Sequence, residues 1–417
     1  MPKSFLFPIK DTSEKKLKSK KSLNYEKLSL PSFNALSPLF IPHMHNLYQP
    51  KLTTYQQAKK LLENDELVAF PTETIYGLGA NALSDTAAEK IFQLKGRPND
   101  NPLIVHLGEK EQITDYAFIE NDIQQTIIDK LMPGPITLLL PKKENISPIV
   151  CKVPLVGIRL PSNEIAQKML KTVGLPIAAP SANLSGKASP TNAQMVYDNL
   201  GDNVPMIIDG GESEAGIEST VVRVTPLTKG GEGGSNNSHR TSPTSRSLCG
   251  TSSPSKGGRY KIQILRPGFV TKEDLEAAFN HEISVEYTTN NPELSPGMRY
   301  KHYSISGKVV VIDSITSPLM KGGKGGSNTK QGKIGYLITQ EFFDAHQPFF
   351  SALKEQKNVL IKIRGTHKNL ATCAHNLFDL YHYFDQQKVD ILYVEQLSEI
   401  GIGYSIMNRV KRSREEQ

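Results

Sequence analysis

Lys95 and Arg97 flank Gly96 and precede Pro98. Two cations on one turn, with glycine removing side-chain bulk between them, suit a polyphosphate or a carboxylate; on its own the pair equally describes a solvated loop. Asn101 stands just before the apolar run Leu103–His106, where it would donate to a phosphate or cap a strand. His106 ends that run and reads as either a structural or a binding residue. Arg159 lies in Val-Gly-Ile-Arg-Leu-Pro, mid-strand by its pattern. A guanidinium among residues so apolar requires an anion, either a protein carboxylate or a ligand. Pro-Ser-Ala-Asn-Leu-Ser-Gly at 180–186 follows another apolar run. Its small residues and hydroxyls would form a nest for phosphate or adenine, or merely a polar turn. Gly-Ile-Glu-Ser-Thr at 216–220 repeats the theme. With the hydroxyl-rich turn after Phe70, these segments read as two halves of a cleft for something anionic.

Other chemistries fail at particular residues. Gly211-Glu-Ser-Glu-Ala215 misses the last glycine of a nucleophile elbow. There is no Gly-x-Gly-x-x-Gly between a strand and a helix, no His-Glu-x-x-His, and no paired cysteine and histidine ligands. The three cysteines, Cys151, Cys249 and Cys373, are too far apart for a zinc site or a disulfide framework, which fits a reducing cytoplasm. No apolar run approaches the roughly 18 residues of a membrane span, and no secretory signal pattern opens the chain. No membrane partner is therefore expected. Of the formal charge of +7, much is local: residues 1–43 carry eight lysines against three acidic residues. That segment reads as a solvated disordered arm or a non-specific nucleic-acid contact.

The elements that must position these groups follow from periodicity. Strands are expected at Leu67–Phe70, Leu103–His106, Ile136–Leu140, Val156–Leu160, Pro176–Ala179, Met206–Asp209, Ser219–Val224 and Tyr260–Leu265. Between them, Ala58, Leu61 and Leu62, then Ala88, Ile91 and Phe92, then Ala166, Met169, Leu170 and Val173 mark helical faces. Thr191 and Gln194 read as a capping box for a helix through Leu200. The alternation predicts an α/β fold with a twisted, mixed sheet and flanking helices. Domains are expected at 1–44 (a disordered basic extension), 45–282 (catalytic), 283–306 (a linker or lid) and 307–417 (a smaller Rossmann-like α/β domain). Gly-rich insertions at 226–258 and 318–331 share a Lys-Gly-Gly motif without phosphate-loop spacing.

Taken together, FPTETIYGLGANAL, KGRPNDNPLIVH, PGPITLLL, VGIRLP, PIAAPSANLSGKASPT, GIESTVV and ILRPG resemble the YrdC-like domain. SPGMRYKHYS and the C-terminal GYSIMNRVKR resemble the longer, two-domain threonylcarbamoyl-AMP synthase family. That resemblance implies a nucleotidyltransferase making L-threonylcarbamoyl-AMP and pyrophosphate from L-threonine, bicarbonate and ATP. Mg²⁺ would ride on the phosphates, with no organic cofactor and no metal ligand from protein side chains. A tRNA-threonylcarbamoyl transferase complex would use the product beside the anticodon, with a tRNA or double-stranded RNA contact as a further partner. By matching motif, Thr74, His106, Arg159, Ala179 and Ser219 resemble the threonine site, with Arg159 pairing the amino-acid carboxylate. Arg97, Asn101, Ser181, Ser189 and Arg266 resemble the ATP site. Lys95 would add a cation for bicarbonate or the triphosphate, so Lys95 and Arg97 are the expected catalytic pair. Tyr300, His302 and Tyr303 would fold back over the nucleotide. Leu155 stands where the family often has threonine: an ATP contact through its backbone would be kept, and one that needs a hydroxyl would be lost, lowering ATP affinity. The alternative is a non-catalytic RNA-binding or ribosome-maturation factor on the same fold.

Overall fold

The computed structural model describes residues 46–98, 100–227, 260–288, 303–315 and 332–414. The expectations for the N-terminal extension and for nearly all of both Gly-rich insertions lie outside the described residues, as do Tyr300 and His302.

The described residues of the larger sheet are β1 (Leu47–Tyr48), β2 (Val68–Phe70), β3 (Gly77–Asn81), β4 (Ile104–His106), β5 (Ile136–Pro141), β6 (Leu155–Arg159), β7 (Ile177–Ala178), β8 (Met206–Ile208), β9 (Thr220–Pro226), β10 (Tyr260–Arg266) and β11 (Ser284–Tyr287). Their order across the sheet is β1-β8-β2-β3-β7-β4-β6-β5-β9-β10-β11, with parallel and antiparallel neighbours mixed. Strands this apolar are buried on both faces. In β2, Ala69 packs into one core with Leu78, Ala80, Val105 and Ile158, while Val68 and Phe70 pack into another with Met169, Leu170 and Ile177.

A second sheet contains β12 (Lys308–Ile312), β13 (Ile334–Ile338), β14 (Val359–Ile363) and β15 (Ile391–Glu395), all parallel, in the order β12-β15-β13-β14. One of its cores, around Phe378, Leu377 and Ile406, also takes in Ile75, Ala188 and Ile217 from the loops of the first sheet. The second α/β layer is thus packed against those loops.

Three readings need correction, and one strand, β3 at Gly77–Asn81, has no counterpart among those expected; a Cβ on Gly79 would lie 2.8 Å from Ile177 and 3.0 Å from Phe70, so glycine here allows close packing inside the sheet. Ser284–Tyr287, read as the start of the linker, is β11, paired in parallel with β10. Arg159 is the last residue of β6, not its middle. The helix Ala193–Leu200 is capped by Asn192, whose side chain accepts from Met195 N, while the Thr191 hydroxyl meets Met195 Sδ. The reason lies in the backbone: Asn192 holds the extended cap conformation, one residue later than the capping box required.

Candidate functional site

β4 and β6 run parallel, and their last residues, His106 and Arg159, are direct neighbours in register. Both side chains are therefore delivered to one edge of the sheet, where the loops after β2 and β7 and the start of β9 converge. A cavity opens there, about 640 Å³ when the open space at its mouth is included. Its lining includes Arg97, His106, Arg159, Ala179, Ser181, Ser189, Ser219, Arg266 and Tyr303, together with Thr72, Asn183, Lys187 and Glu218.

Arg159 is buried, and one nitrogen, Nη2, gathers three oxygens: Glu73 Oε1 at 2.8 Å, Thr74 Oγ1 at 2.8 Å and Thr72 Oγ1 at 3.3 Å. Its anion in this structure is thus a protein carboxylate. The Thr72 hydroxyl also accepts from Thr74 N and Ile75 N and lies 2.6 Å from Ile75 O, to which it donates. These bonds tie the Thr-Glu-Thr turn to itself. Thr74 is fully buried behind the lining, bonded through its hydroxyl to Thr72 and Arg159.

Burial, with Arg159 alongside, pushes the His106 imidazole down to about 3. His106 is therefore neutral at physiological pH. Its Nδ1 lies 3.1 Å from Ile104 O, and its ring meets Phe70 edge-on.

Gly96 caps the helix Asp85–Lys95 in the left-handed conformation, which turns the chain so that Arg97 reaches the cavity. The Arg97 guanidinium donates to Asn101 O and Pro102 O, at 3.3 and 3.1 Å from Nη2. Asn101 itself is buried beneath and outside the lining, so its backbone steers Arg97. Lys95 is also outside the lining. Its buried ammonium donates to the carbonyls of Ser181 and Asn183, and burial, then Arg97, hold it well below the ordinary lysine range. In this conformation Lys95 braces the Ser-Ala-Asn loop. Leu155 opens β6 and Arg159 closes it, so the two lie about 13 Å apart by strand rise, and Leu155 does not line the cavity.

Across the cavity, Ser189 Oγ donates to Glu218 Oε1 at 2.7 Å. Arg409, from the helix Ile402–Arg414 of the second layer, donates through Nε to Glu218 Oε2 at 3.1 Å and through Nη1 to Pro267 O. Burial pushes the Glu218 carboxyl up, but Arg409, Arg266 and the Ser189 hydroxyl outweigh it, leaving the group below the usual glutamate value. Arg266 donates to Ser219 O at 2.9 Å and Ser219 Oγ at 3.1 Å, and burial lowers it to about 10, still cationic at neutral pH. Ser219 Oγ also meets Thr137 Oγ1 at 2.8 Å. Tyr303 stacks on Phe378 with ring centroids 5.0 Å apart.

Sequence reasoning named neither Glu73 nor Glu218 nor Arg409 as site residues. Asn183 stood inside the quoted Ser-Ala-Asn segment; it lines the cavity, its Nδ2 bonded to Leu184 O and Lys187 O. Glu73 stood between two threonines that carried the signal. For Arg409, nothing local distinguishes it from its basic neighbours.

Comparison with known proteins adds an independent line. Residues 60–231 match the Sua5–YciO–YrdC family, described as "Telomere recombination", and residues 270–414 match "Threonylcarbamoyl-AMP synthase, C-terminal domain". The chain is 34% identical to threonylcarbamoyl-AMP synthase of Bacillus subtilis, over 86% of this chain and 92% of that one. It is 31% identical to the protein of that name from Pyrococcus abyssi, over 85% and 92%. Among solved structures, P. abyssi Sua5 complexed with L-threonine superposes with a TM-score of 0.66 at 28% identity, covering 88% of this chain and 97% of that one.

Proposed function

The chain belongs to the threonylcarbamoyl-AMP synthase family, and from that premise we propose that it joins L-threonine, bicarbonate and ATP into L-threonylcarbamoyl-AMP with release of pyrophosphate. The observation that carries this reading is the cavity's charge. Among the described residues, Arg97, Arg159, Lys187 and Arg266 line it with Glu218, and Glu73, Asp385 and Arg409 engage Arg159, Lys187 and Glu218 respectively, so cations outnumber carboxylates at the site. Such a lining suits a polyanion beside an amino-acid carboxylate.

The reaction asks little covalent work of the protein. The threonine amine meets bicarbonate, and the resulting carbamate attacks the α-phosphate in line. Positioning and charge neutralisation supply the catalysis. Arg159 would hold the amino-acid carboxylate, with neutral His106 beside it offering a hydrogen bond without adding charge. Arg97 and Arg266 would face the phosphates, and the hydroxyls of Ser181 and Ser189 the rest of the nucleotide. Lys95 would act through the loop it braces. Tyr303 would bound the nucleotide side, with Tyr300 and His302 completing the lid expected there. Mg²⁺ would enter the site on the phosphates. Among the described residues no group of three His, Cys, Asp or Glu is placed to hold it. Bound on the triphosphate, it would neutralise charge that the arginines do not reach.

The product would serve threonylcarbamoylation of tRNA through a partner transferase complex. No helix among the described residues is long and apolar enough to cross a membrane. The decisive assay is ATP consumption and pyrophosphate release with and without L-threonine, in bicarbonate buffer. Threonine-dependent pyrophosphate release is expected. RNA binding with no such turnover would refute the enzyme reading in favour of an RNA-binding factor.

A further inference from the structure

The Arg159–Glu73 pair is built in a way that a structural ion pair does not require. Both side chains are about 95% buried and 2.8 Å apart. A buried arginine and carboxylate gain most from two parallel hydrogen bonds, which satisfy both carboxylate oxygens and two guanidinium nitrogens. Here Arg159 spends Nη2 alone on all three oxygens it meets. Among the described residues, Arg159 Nε and Glu73 Oε2 are buried with no hydrogen-bond partner. Buried polar atoms are nearly always satisfied, so an orphan donor and an orphan acceptor on two bonded residues call for a cause.

Their chemistry supplies one. An unpartnered guanidinium N–H and an unpartnered carboxylate oxygen, on two residues bonded to each other, complement a carboxylate and an ammonium, the head group of an α-amino acid. Arg159 and Thr72 line the cavity, and Glu73, bonded to the first and next in the chain to the second, lies just outside the lining. Glu73 is also held in place: its backbone oxygen accepts from Ala215 N at 2.8 Å, and the hydroxyl bonds of Thr72 fix the turn around it. Resting on the function proposed above, we propose that Glu73 is a specificity-determining residue which accepts a hydrogen bond from the substrate's α-ammonium while Arg159 takes its carboxylate. The pair then reads the zwitterion as a unit. An α-hydroxy acid of the same shape presents no cation to Glu73: its hydroxyl can donate only a neutral hydrogen bond, which is weaker than one from an ammonium.

The rival role for Glu73 is that of a brace which only aims Arg159. Calorimetry with two ligands separates them: L-threonine, and 2,3-dihydroxybutanoate of matching stereochemistry, which replaces the amine by a hydroxyl. The wild-type chain should prefer threonine by about tenfold or more, the scale of one charge-assisted bond in a buried site. In Glu73→Gln the preference should collapse, with threonine affinity falling and the hydroxy acid little changed. Parallel loss of both ligands, or an unchanged preference, would overturn the proposal in favour of the brace. Should Glu73→Gln not fold, Glu73→Asp keeps the charge but withdraws it by one methylene, and it must lose preference in the same direction. A wild-type chain that binds neither compound fails differently: it sinks the synthase reading on which this rests.

Discussion

Replacing Arg409 by methionine tests whether the second α/β layer holds the cavity together. Arg409 is fully buried and Glu218 nearly so, so solvent screening does not soften their interaction. Removing one partner of a buried pair leaves an uncompensated charge, at a cost of about 3–5 kcal/mol. For a domain of this size that corresponds to a fall in Tm of roughly 6–20 °C at pH 7. The pH dependence gives a second check. In the native chain the Glu218 carboxyl sits below its unfolded value, chiefly because Arg409 outweighs burial. Its contribution is therefore present above the unfolded glutamate pKa and is lost as pH falls through the folded value. In Arg409→Met, burial dominates and the carboxyl moves up. The folded variant then holds a proton that the unfolded chain releases, so its deficit grows as pH rises from the glutamate range to neutrality. Thermal melts at pH 4.5 and 7 would show the gap between the two chains widening with pH. Adding Glu218→Gln to the variant removes the orphaned charge and should restore much of the stability. A single variant that loses less than about 1 kcal/mol, or a double variant no more stable than the single one, would refute the coupling. The KM for ATP should rise in the single variant, because Ser189 loses a fixed partner.

Arg159→Ala should weaken threonine binding by about 2–4 kcal/mol in calorimetry with ATP binding little changed, and Arg159→Lys should recover only part, since the ammonium lacks the fork. His106 is held neutral by burial, so the unfolded chain takes up a proton that the folded chain refuses; between pH 6.5 and 5 this should cost about 2 kcal/mol, and His106→Gln should flatten that part of a stability-versus-pH curve. The pairing of β9 with β10 ends at Pro226 and Tyr260, so replacing residues 228–259 by Asn-Gly should leave pyrophosphate release within a few-fold, because loop closure changes by only about 0.6 kcal/mol per doubling of length. Loss of activity in a folded chain so shortened would assign the insertion a role.

What the sequence made legible is what repeats locally. The expected mixed α/β sheet is present because apolar runs of strand length and helical faces are short-range patterns. Where two local rules compete, the pattern is silent. In Gly77–Asn81, glycine signals a turn by its backbone freedom, yet Gly79 sits in β3 because Ile177 and Phe70 leave no room for a side chain. That crowding exists only once β2, β3 and β7 are side by side. Glu218 and Arg409 lie 191 residues apart, and no window of sequence holds both. Arg159 shows a different limit. From its strand alone, its anion had to be a protein carboxylate or a ligand, as though one choice excluded the other. A guanidinium has five N–H donors. Glu73 takes part of that capacity through Nη2, and Nε is left over. An arginine so divided is held in place by the protein with one donor uncommitted, the arrangement that the proposed binding role at the end of a buried strand would need.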